Sequence, residues 1–161
     1  MKIVSLDSLI QIFDSKDNDL LKSLFKLIDG SFSFKRNRGM SDSEIENICL
    51  FCKKLSHFLS HMQKEGYFLS TLIETGIREE FDILRFSDKT ILNIEIKREL
   101  PKDGISAIKD QLIRHKYLLE ILNKDIIKVG NTVVVDGEIR SYNYIMENEE
   151  RRKLILSVFA K

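Results

Sequence analysis

The chain has 161 residues, of which 43% are hydrophobic, and its formal net charge is +1. This length predicts one domain with a sizeable core, and the near-neutral charge excludes a coat protein whose whole surface binds nucleic acid. No run of about 18 apolar residues is present, so we expect no membrane span. Because residues 1–7 also lack the apolar core of a signal peptide, we expect an intracellular, cytoplasmic protein.

The first 40 residues predict a helical extension. Helices are expected over 3–13 and 17–29, the second with apolar residues at helical spacing and a stop at Gly30. A loop that mixes basic and aromatic side chains follows. Its basic residues are candidate contacts for phosphate, and a solvated loop without a ligand is the alternative. They are Lys35, Arg36 and Arg38.

A long helix is predicted to begin after Ser41 and to end near Glu65. Glu44 follows Ser41 at the spacing of a capping box. The apolar stripe of this helix includes Cys49 and Cys52, whose CxxC spacing also occurs in zinc and redox sites. No second CxxC motif is present, so we interpret the two cysteines as thiols buried on the core face.

The centre of the chain predicts β-structure. A first strand is expected over 67–73. Residues 79–86 and 91–97 then alternate between apolar and polar side chains around a short polar loop, which is typical of a β-hairpin.

This hairpin is predicted to bring two acids and a lysine together. If Phe86 pairs with Ile91, Asp82 lies directly opposite Glu95, with Cβ atoms about 4.5–5.5 Å apart. Two carboxylates that close repel each other unless a cation or a proton lies between them. The strand period of two also puts Glu95 and Lys97 on one face.

The other face of the same strand is apolar. We expect Leu92, Ile94 and Ile96 to be buried under a helix, while Glu95 and Lys97 face an open cleft. The simpler alternative is a pair of solvated strands whose charges only pair with each other.

A second long helix is predicted to open at Pro101 and Asp103 and to carry the chain across the sheet. Gln111 and Arg114 share a face of this helix, and we interpret His115 as a packed histidine. The predicted apolar stripe consists of Ile105, Ile108, Leu112, Leu119 and Leu122.

The remainder of the chain predicts further β-structure and a short charged helix. The expected elements are a strand over 131–135, a turn at 136–137, a strand over 140–145 and a helix over 146–161.

Phe81-Asp82, the hairpin and Glu95-Ile96-Lys97 together resemble the motif of the PD-(D/E)xK nuclease superfamily, also called the restriction-endonuclease-like fold. Phe81 departs from the pattern, because proline usually precedes the first acid. The stretch from Glu80 to Leu122 looks like nuclease domains at the N-terminus of bacterial helicase or ATPase proteins, and the likeness spans residues 66–145.

The resemblance implies an α/β fold with an αβββαβ core and a central mixed sheet flanked by helices. The chain then forms one nuclease-like domain over 1–161. Its helical extension is 1–40, its core 41–145 and its C-terminal helix 146–161.

The resemblance also implies a phosphodiester hydrolase that depends on Mg²⁺ or Mn²⁺. It makes Asp82, Glu95 and the backbone carbonyl of Ile96 the metal ligands, with Glu65 as a further carboxylate. Mg²⁺ prefers such oxygen ligands and lowers the pKa of the water it binds. Lys97 would orient or help deprotonate the attacking water and stabilise the developing negative charge.

DNA rather than RNA is the expected substrate, and a helicase or ATPase module in a larger protein is the expected partner. Gln111 and Arg114 are candidate contacts to the nucleic-acid backbone. Two alternatives stay open: a catalytically inactive domain of the same fold that binds nucleic acid or serves as a scaffold, and an RNA endonuclease of the cap-snatching kind.

Overall fold

The computed structural model describes residues 2–28, 40–74, 78–87, 90–122 and 128–135. The described chain is mixed α/β, as predicted, and the restriction-endonuclease-like core stays a prediction. By its internal contacts it divides into an N-terminal unit, Met1–Ile83, and a C-terminal unit, Leu84–Lys161, with the boundary inside the second strand. In chain order the elements are α1 (Leu6–Asp14), α2 (Asn18–Ile28), α3 (Asp42–Ser56), a 3-10 helix (His61–Lys64), β1 (Tyr67–Glu74), β2 (Arg78–Phe86), β3 (Thr90–Lys97), α4 (Gly104–Leu122) and β4 (Lys128–Val135).

The first two predicted helices are confirmed within a few residues of their bounds. Helix α1 contacts both α2 and α3, and its Leu6 and Leu9 are fully buried. Before α1, Val4 exchanges backbone hydrogen bonds with Tyr67 at the start of β1. The N-terminal helices thus share one apolar core with the first strand.

Helix α3 begins as predicted but ends earlier. The Ser41 side chain accepts from the backbone N–H of Glu44, and the Glu44 carboxylate accepts from the backbone N–H of Ser41, so the capping box is present. The predicted continuation to Glu65 is wrong, because the helix ends at Ser56. There the Ser56 hydroxyl donates to the Lys53 carbonyl.

After α3, the backbone hydrogen bonds join residues three positions apart rather than four. The N–H groups of His57, Phe58 and Leu59 each bond the carbonyl three positions earlier, which closes an α-helix with 3-10 geometry. A separate 3-10 helix follows and leads to Gly66, whose φ of +85° suits glycine.

Burial of the two cysteines on α3 is confirmed, and both are free thiols. Burial, and then the Glu46 carboxylate, raise the pKa of the Cys49 thiol to about 12. Burial, and then Cys49, raise the pKa of the Cys52 thiol still further. The CxxC pair is therefore part of the core and is protonated at neutral pH.

We expect the two thiols to make the fold less stable at high pH. The folded thiols keep their protons when the pH passes about 9, the ordinary pKa of a thiol, whereas unfolded thiols lose theirs. The unfolded state then binds fewer protons, so stability falls as the pH rises. Each thiol contributes up to about 1.4 kcal/mol per pH unit above that value.

Urea unfolding at pH 8 and pH 10 measures this effect. The double variant Cys49→Ala/Cys52→Ala should lose about 3 kcal/mol less than the wild type between the two pH values. An equal loss in both proteins would contradict the raised pKa values.

The predicted hairpin is present as β2 and β3. At its end, the Ser87 N–H donates to the Thr90 carbonyl at 2.8 Å, and the Thr90 N–H returns a bond at 3.4 Å. This pair belongs to the register that aligns Phe86 with Ile91. The four strands lie in the order β1-β2-β3-β4.

Strands β3 and β4 are parallel neighbours, with Glu95 aligned with Val133 and Lys97 with Val135. Helix α4 is the crossover between them, as predicted, and it contacts β4. Parallel neighbours need such a crossover because a tight hairpin can join only antiparallel strands.

The buried face of α4 differs in part from the predicted stripe. Ile108, Leu112 and Leu119 are buried as expected, but Ile105 in the first turn is exposed. The buried face continues instead through His115, which is completely buried.

Several predictions concern residues outside the described ranges. They are the stop at Gly30, the basic loop, the turn at 136–137, the strand over 140–145 and the helix over 146–161. Within the described part of the chain, no helix combines the length and apolar character that crossing a membrane requires.

Candidate functional site

Glu95 is the centre of the candidate site, which lies in the C-terminal unit. Its side chain is only 2% exposed on β3. The Lys97 ammonium donates to Glu95 Oε2 at 3.2 Å, and the Lys97 side chain is 27% exposed. The two residues are two positions apart on one strand, so the β-period puts them on the same face, as predicted.

Helix α4 supplies two further groups to Glu95. The Gln111 amide nitrogen donates to Glu95 Oε2 at 3.0 Å, the same oxygen that accepts from Lys97. His115 places its Nδ1 at 3.3 Å from the other carboxylate oxygen, Oε1. Gln111 and His115 face the same strand because they are one helical turn apart. Glu95, Lys97, Gln111 and His115 are called the Glu95 site below.

Asn93 extends this network within β3. Its side-chain nitrogen lies 3.1 Å from His115 Nδ1, and both residues are completely buried. The packed position predicted for His115 is confirmed, but its contacts and the role of Asn93 were not predicted. A signal was present in the sequence, because Asn93 is a residue type that strands disfavour and lies on the Glu95 face.

The expectation that Glu95 faces an open cleft is wrong. Helix α4 packs over the face of β3 that carries Asn93 and Glu95. On the opposite face Ile94 is buried as expected, whereas Leu92 and Ile96 are only half-buried. The cause is the crossover between parallel strands, which lays its helix on one face of the sheet. Within the site, Lys97 and Gln111 keep partial contact with solvent, whereas Glu95 and His115 are buried.

A buried carboxylate is costly unless charge and hydrogen bonds compensate it. The Lys97 ammonium provides the opposite charge, and Gln111 provides a neutral donor to the same oxygen. Such charge-assisted bonds are stronger than bonds between neutral groups. Oε2 of Glu95 is therefore the oxygen on which positive and donor groups converge.

The predicted acids outside β3 belong to the N-terminal unit. Asp82 is half-buried in β2, and its pairing with Glu95 stays a prediction. Glu80 lies two residues earlier and accepts from the Ser70 hydroxyl at 3.5 Å. Glu65 is exposed after the 3-10 helix, where it accepts from the Ser5 hydroxyl at 2.8 Å.

The candidate nucleic-acid contacts are placed as follows. Gln111 is half-buried and directed at Glu95, and Arg114 is exposed on α4. Lys35, Arg36 and Arg38 lie outside the described residues. Contact with nucleic acid stays a prediction for all five.

No three His, Cys, Asp or Glu side chains converge as a metal site among the residues that the structure describes. Mg²⁺ nevertheless needs only one or two carboxylates, since water and backbone carbonyls complete its octahedron. Glu95 is a carboxylate of this kind, and a metal ion at its Oε2 would take the place of the Lys97 ammonium, while the Gln111 bond can remain. The backbone carbonyl that is expected as a further metal ligand belongs to Ile96. Ile96 is aligned with Val134 of β4.

The Glu95 site is thus defined by contacts between β3 and α4 of one unit. It joins an acid and a lysine of β3 to two polar residues of α4, the helix that follows β3 in the chain. Comparison of the chain with protein-family models, with curated proteins and with solved structures finds no match.

Proposed function

We propose that the chain is a metal-dependent nuclease that hydrolyses phosphodiester bonds, with DNA as the preferred substrate. The observation that carries this proposal is the meeting of Glu95, Lys97 and Gln111 at one carboxylate oxygen. An acid and a lysine at alternate positions of one strand supply both a metal ligand and a fixed positive charge. Phosphodiester hydrolysis requires neutralisation of the phosphate charge and activation of a water molecule, and a metal ion with a fixed positive charge can supply both.

The arrangement of elements supports a restriction-endonuclease-like core for this proposal. Helix α3, three consecutive strands, helix α4 and strand β4 follow one another in the order that this fold requires. The parallel pairing of β3 with β4 agrees with a mixed central sheet.

In the proposed mechanism, Glu95, Asp82 and the carbonyl of Ile96 would hold Mg²⁺ or Mn²⁺, with Glu65 as a further candidate. When bound, the metal lowers the pKa of a water molecule and offsets charge on the phosphate. Lys97 leaves Glu95 Oε2 and directs its ammonium at the attacking water or the phosphate oxygen. Gln111 keeps its bond to Glu95 and steadies the carboxylate.

The remaining groups are proposed to bind the nucleic-acid backbone. Arg114 is exposed on α4, and Lys35, Arg36 and Arg38 of the predicted basic loop add positive charge. Contacts of this kind hold the strand without reading its sequence. A helicase or ATPase module is the proposed partner, because separating strands would present such a nuclease with its substrate.

A catalytically inactive domain of the same fold is the second candidate. The observation that favours it is the burial of Glu95, whose charge Lys97 already balances at 3.2 Å. A domain of this kind would bind nucleic acid or a partner protein and would have no need of metal. The two candidates therefore differ in their response to a divalent ion.

We expect Mn²⁺ to bind the wild-type protein and to bind Glu95→Gln and Asp82→Asn at least tenfold more weakly, because each variant replaces an anionic ligand with a neutral amide. Titration calorimetry measures the affinity, and nicking of plasmid DNA with Mg²⁺ or Mn²⁺ measures the activity. Single-stranded DNA and RNA serve as further substrates and decide between a DNA nuclease and an RNA endonuclease.

Glu120→Gln is the matched control for Glu95→Gln. Glu120 lies on α4 and pairs with Lys116 at the surface, at 3.8 Å. This control should bind Mn²⁺ like the wild type. Equal binding by Glu95→Gln and Glu120→Gln would refute the proposed metal site, and a wild type that binds no metal and cuts no substrate would favour the inactive domain.

A further inference from the structure

We infer that His115 is a positioning residue that holds Oε1 of Glu95, so that Glu95 presents the single oxygen Oε2 to a metal ion. This inference rests on the proposed function and adds a residue to its site. His115 itself would touch neither the metal nor the substrate.

The two oxygens of Glu95 have different surroundings. Oε2 accepts from Lys97 and Gln111, the two members of the site that keep partial contact with solvent. Oε1 lies 3.3 Å from Nδ1 of His115, whose side chain is completely buried. One oxygen therefore faces the accessible end of the site and the other faces the core.

The chemistry of His115 Nδ1 decides how it can serve Oε1. Nδ1 lies 3.1 Å from the side-chain nitrogen of Asn93 and 3.3 Å from Glu95 Oε1. A bare nitrogen would lie 3.3 Å from a buried anionic oxygen with no hydrogen to offset the repulsion between them. A hydrogen on Nδ1 instead gives a charge-assisted interaction with Oε1.

Asn93 is compatible with this assignment. A half-turn of its side-chain amide exchanges the nitrogen and the oxygen, so that Nδ1–H would face two acceptors. Asn93 then fixes the plane of the imidazole ring from β3, while α4 carries the ring. The orientation of the Glu95 carboxylate on β3 then depends on His115 of α4.

Groups that orient a metal-binding carboxylate are important for affinity. Replacing such a partner typically lowers metal affinity about 10–100-fold. The same replacement leaves the ligand itself in place. His115 should therefore affect how tightly a metal binds Glu95 through Oε2.

Two amide variants separate this role from simple packing. The nitrogen of His115→Asn takes the place of Nδ1, whereas that of His115→Gln takes the place of Nε2. Both variants replace a buried ring with a smaller polar group, so urea unfolding should show a similar loss of stability in both.

We expect His115→Asn to bind Mn²⁺ within about threefold of the wild type and His115→Gln to bind it at least tenfold more weakly, as judged by calorimetry. Nitrogen-15 NMR of the wild type without metal should show the hydrogen of His115 on Nδ1. This second measurement needs neither metal nor activity.

Each result decides the inference. A hydrogen on Nε2 with none on Nδ1, or equal Mn²⁺ affinity in both amide variants, would overturn it. If the wild type bound no Mn²⁺ while Nδ1 carried the hydrogen, the metal site would be refuted and the hold of His115 on Oε1 would stand.

Discussion

Replacing Lys97 with alanine is expected to lower the rate of metal-dependent cleavage by about 10²–10³-fold, the usual effect of removing one preorganised group that stabilises transition-state charge. A charged lysine cannot be a metal ligand, so Lys97 would act on water or phosphate. Its interaction would be stronger in the transition state than in the ground state. Single-turnover cleavage of plasmid DNA with saturating Mn²⁺ measures the effect.

Mn²⁺ affinity distinguishes this role from that of the acids. Lys97→Ala should bind Mn²⁺ at least as tightly as the wild type, because an ammonium no longer competes for Glu95 Oε2. Asp82→Asn should lose both affinity and activity. Lys116→Ala is the matched control, since Lys116 pairs with Glu120 at the surface of α4. Cleavage by Lys97→Ala at the wild-type rate would contradict the mechanism.

The same substitution is expected to destabilise the fold by about 1.5–3 kcal/mol, the contribution of a hydrogen bond to a charged group. Lys97→Ala leaves Glu95 buried with its countercharge removed. Gln111 still donates to Oε2, which limits the loss. Urea unfolding at pH 7 without metal measures the change.

A double-mutant cycle tests the origin of this loss. Glu95→Gln removes the buried charge, so Lys97→Ala/Glu95→Gln should recover most of the stability that Lys97→Ala loses. Lys116→Ala should cost only about 0.5 kcal/mol or less, as expected for an exposed pair. If the stability change of the double variant equalled the sum of the changes in the two single variants, the Glu95–Lys97 bond would contribute nothing to stability. Because Lys97→Ala is expected to be less stable, its activity should be measured at a temperature where the variant is folded.

Local chemistry determined much of the fold. Alternation of apolar and polar residues predicted β2 and β3, and the Ser41–Glu44 spacing predicted the start of α3. The side-chain period of a strand placed Glu95 and Lys97 on one face. These features depend on residues only a few positions apart, so the sequence was sufficient to predict them.

The tertiary structure decided which face of β3 the helix covers. Strand alternation separates Glu95 from Ile94 and Ile96 but does not say on which side a crossover helix will lie. The parallel pairing of β3 with β4 requires a crossover helix, and α4 lies over the Glu95 side of β3. A face that carries an acid and a lysine was therefore buried rather than open.

Sequence periodicity likewise could not predict the contacts between β3 and α4. The pattern identified Gln111 as polar and His115 as packed, yet only the packing of α4 brings them to opposite oxygens of Glu95. The sequence by itself determined which side chains share a strand face or a helix face, because that depends on backbone period. Only the tertiary structure decided which faces meet, because that depends on the burial of apolar surface between elements distant in the chain.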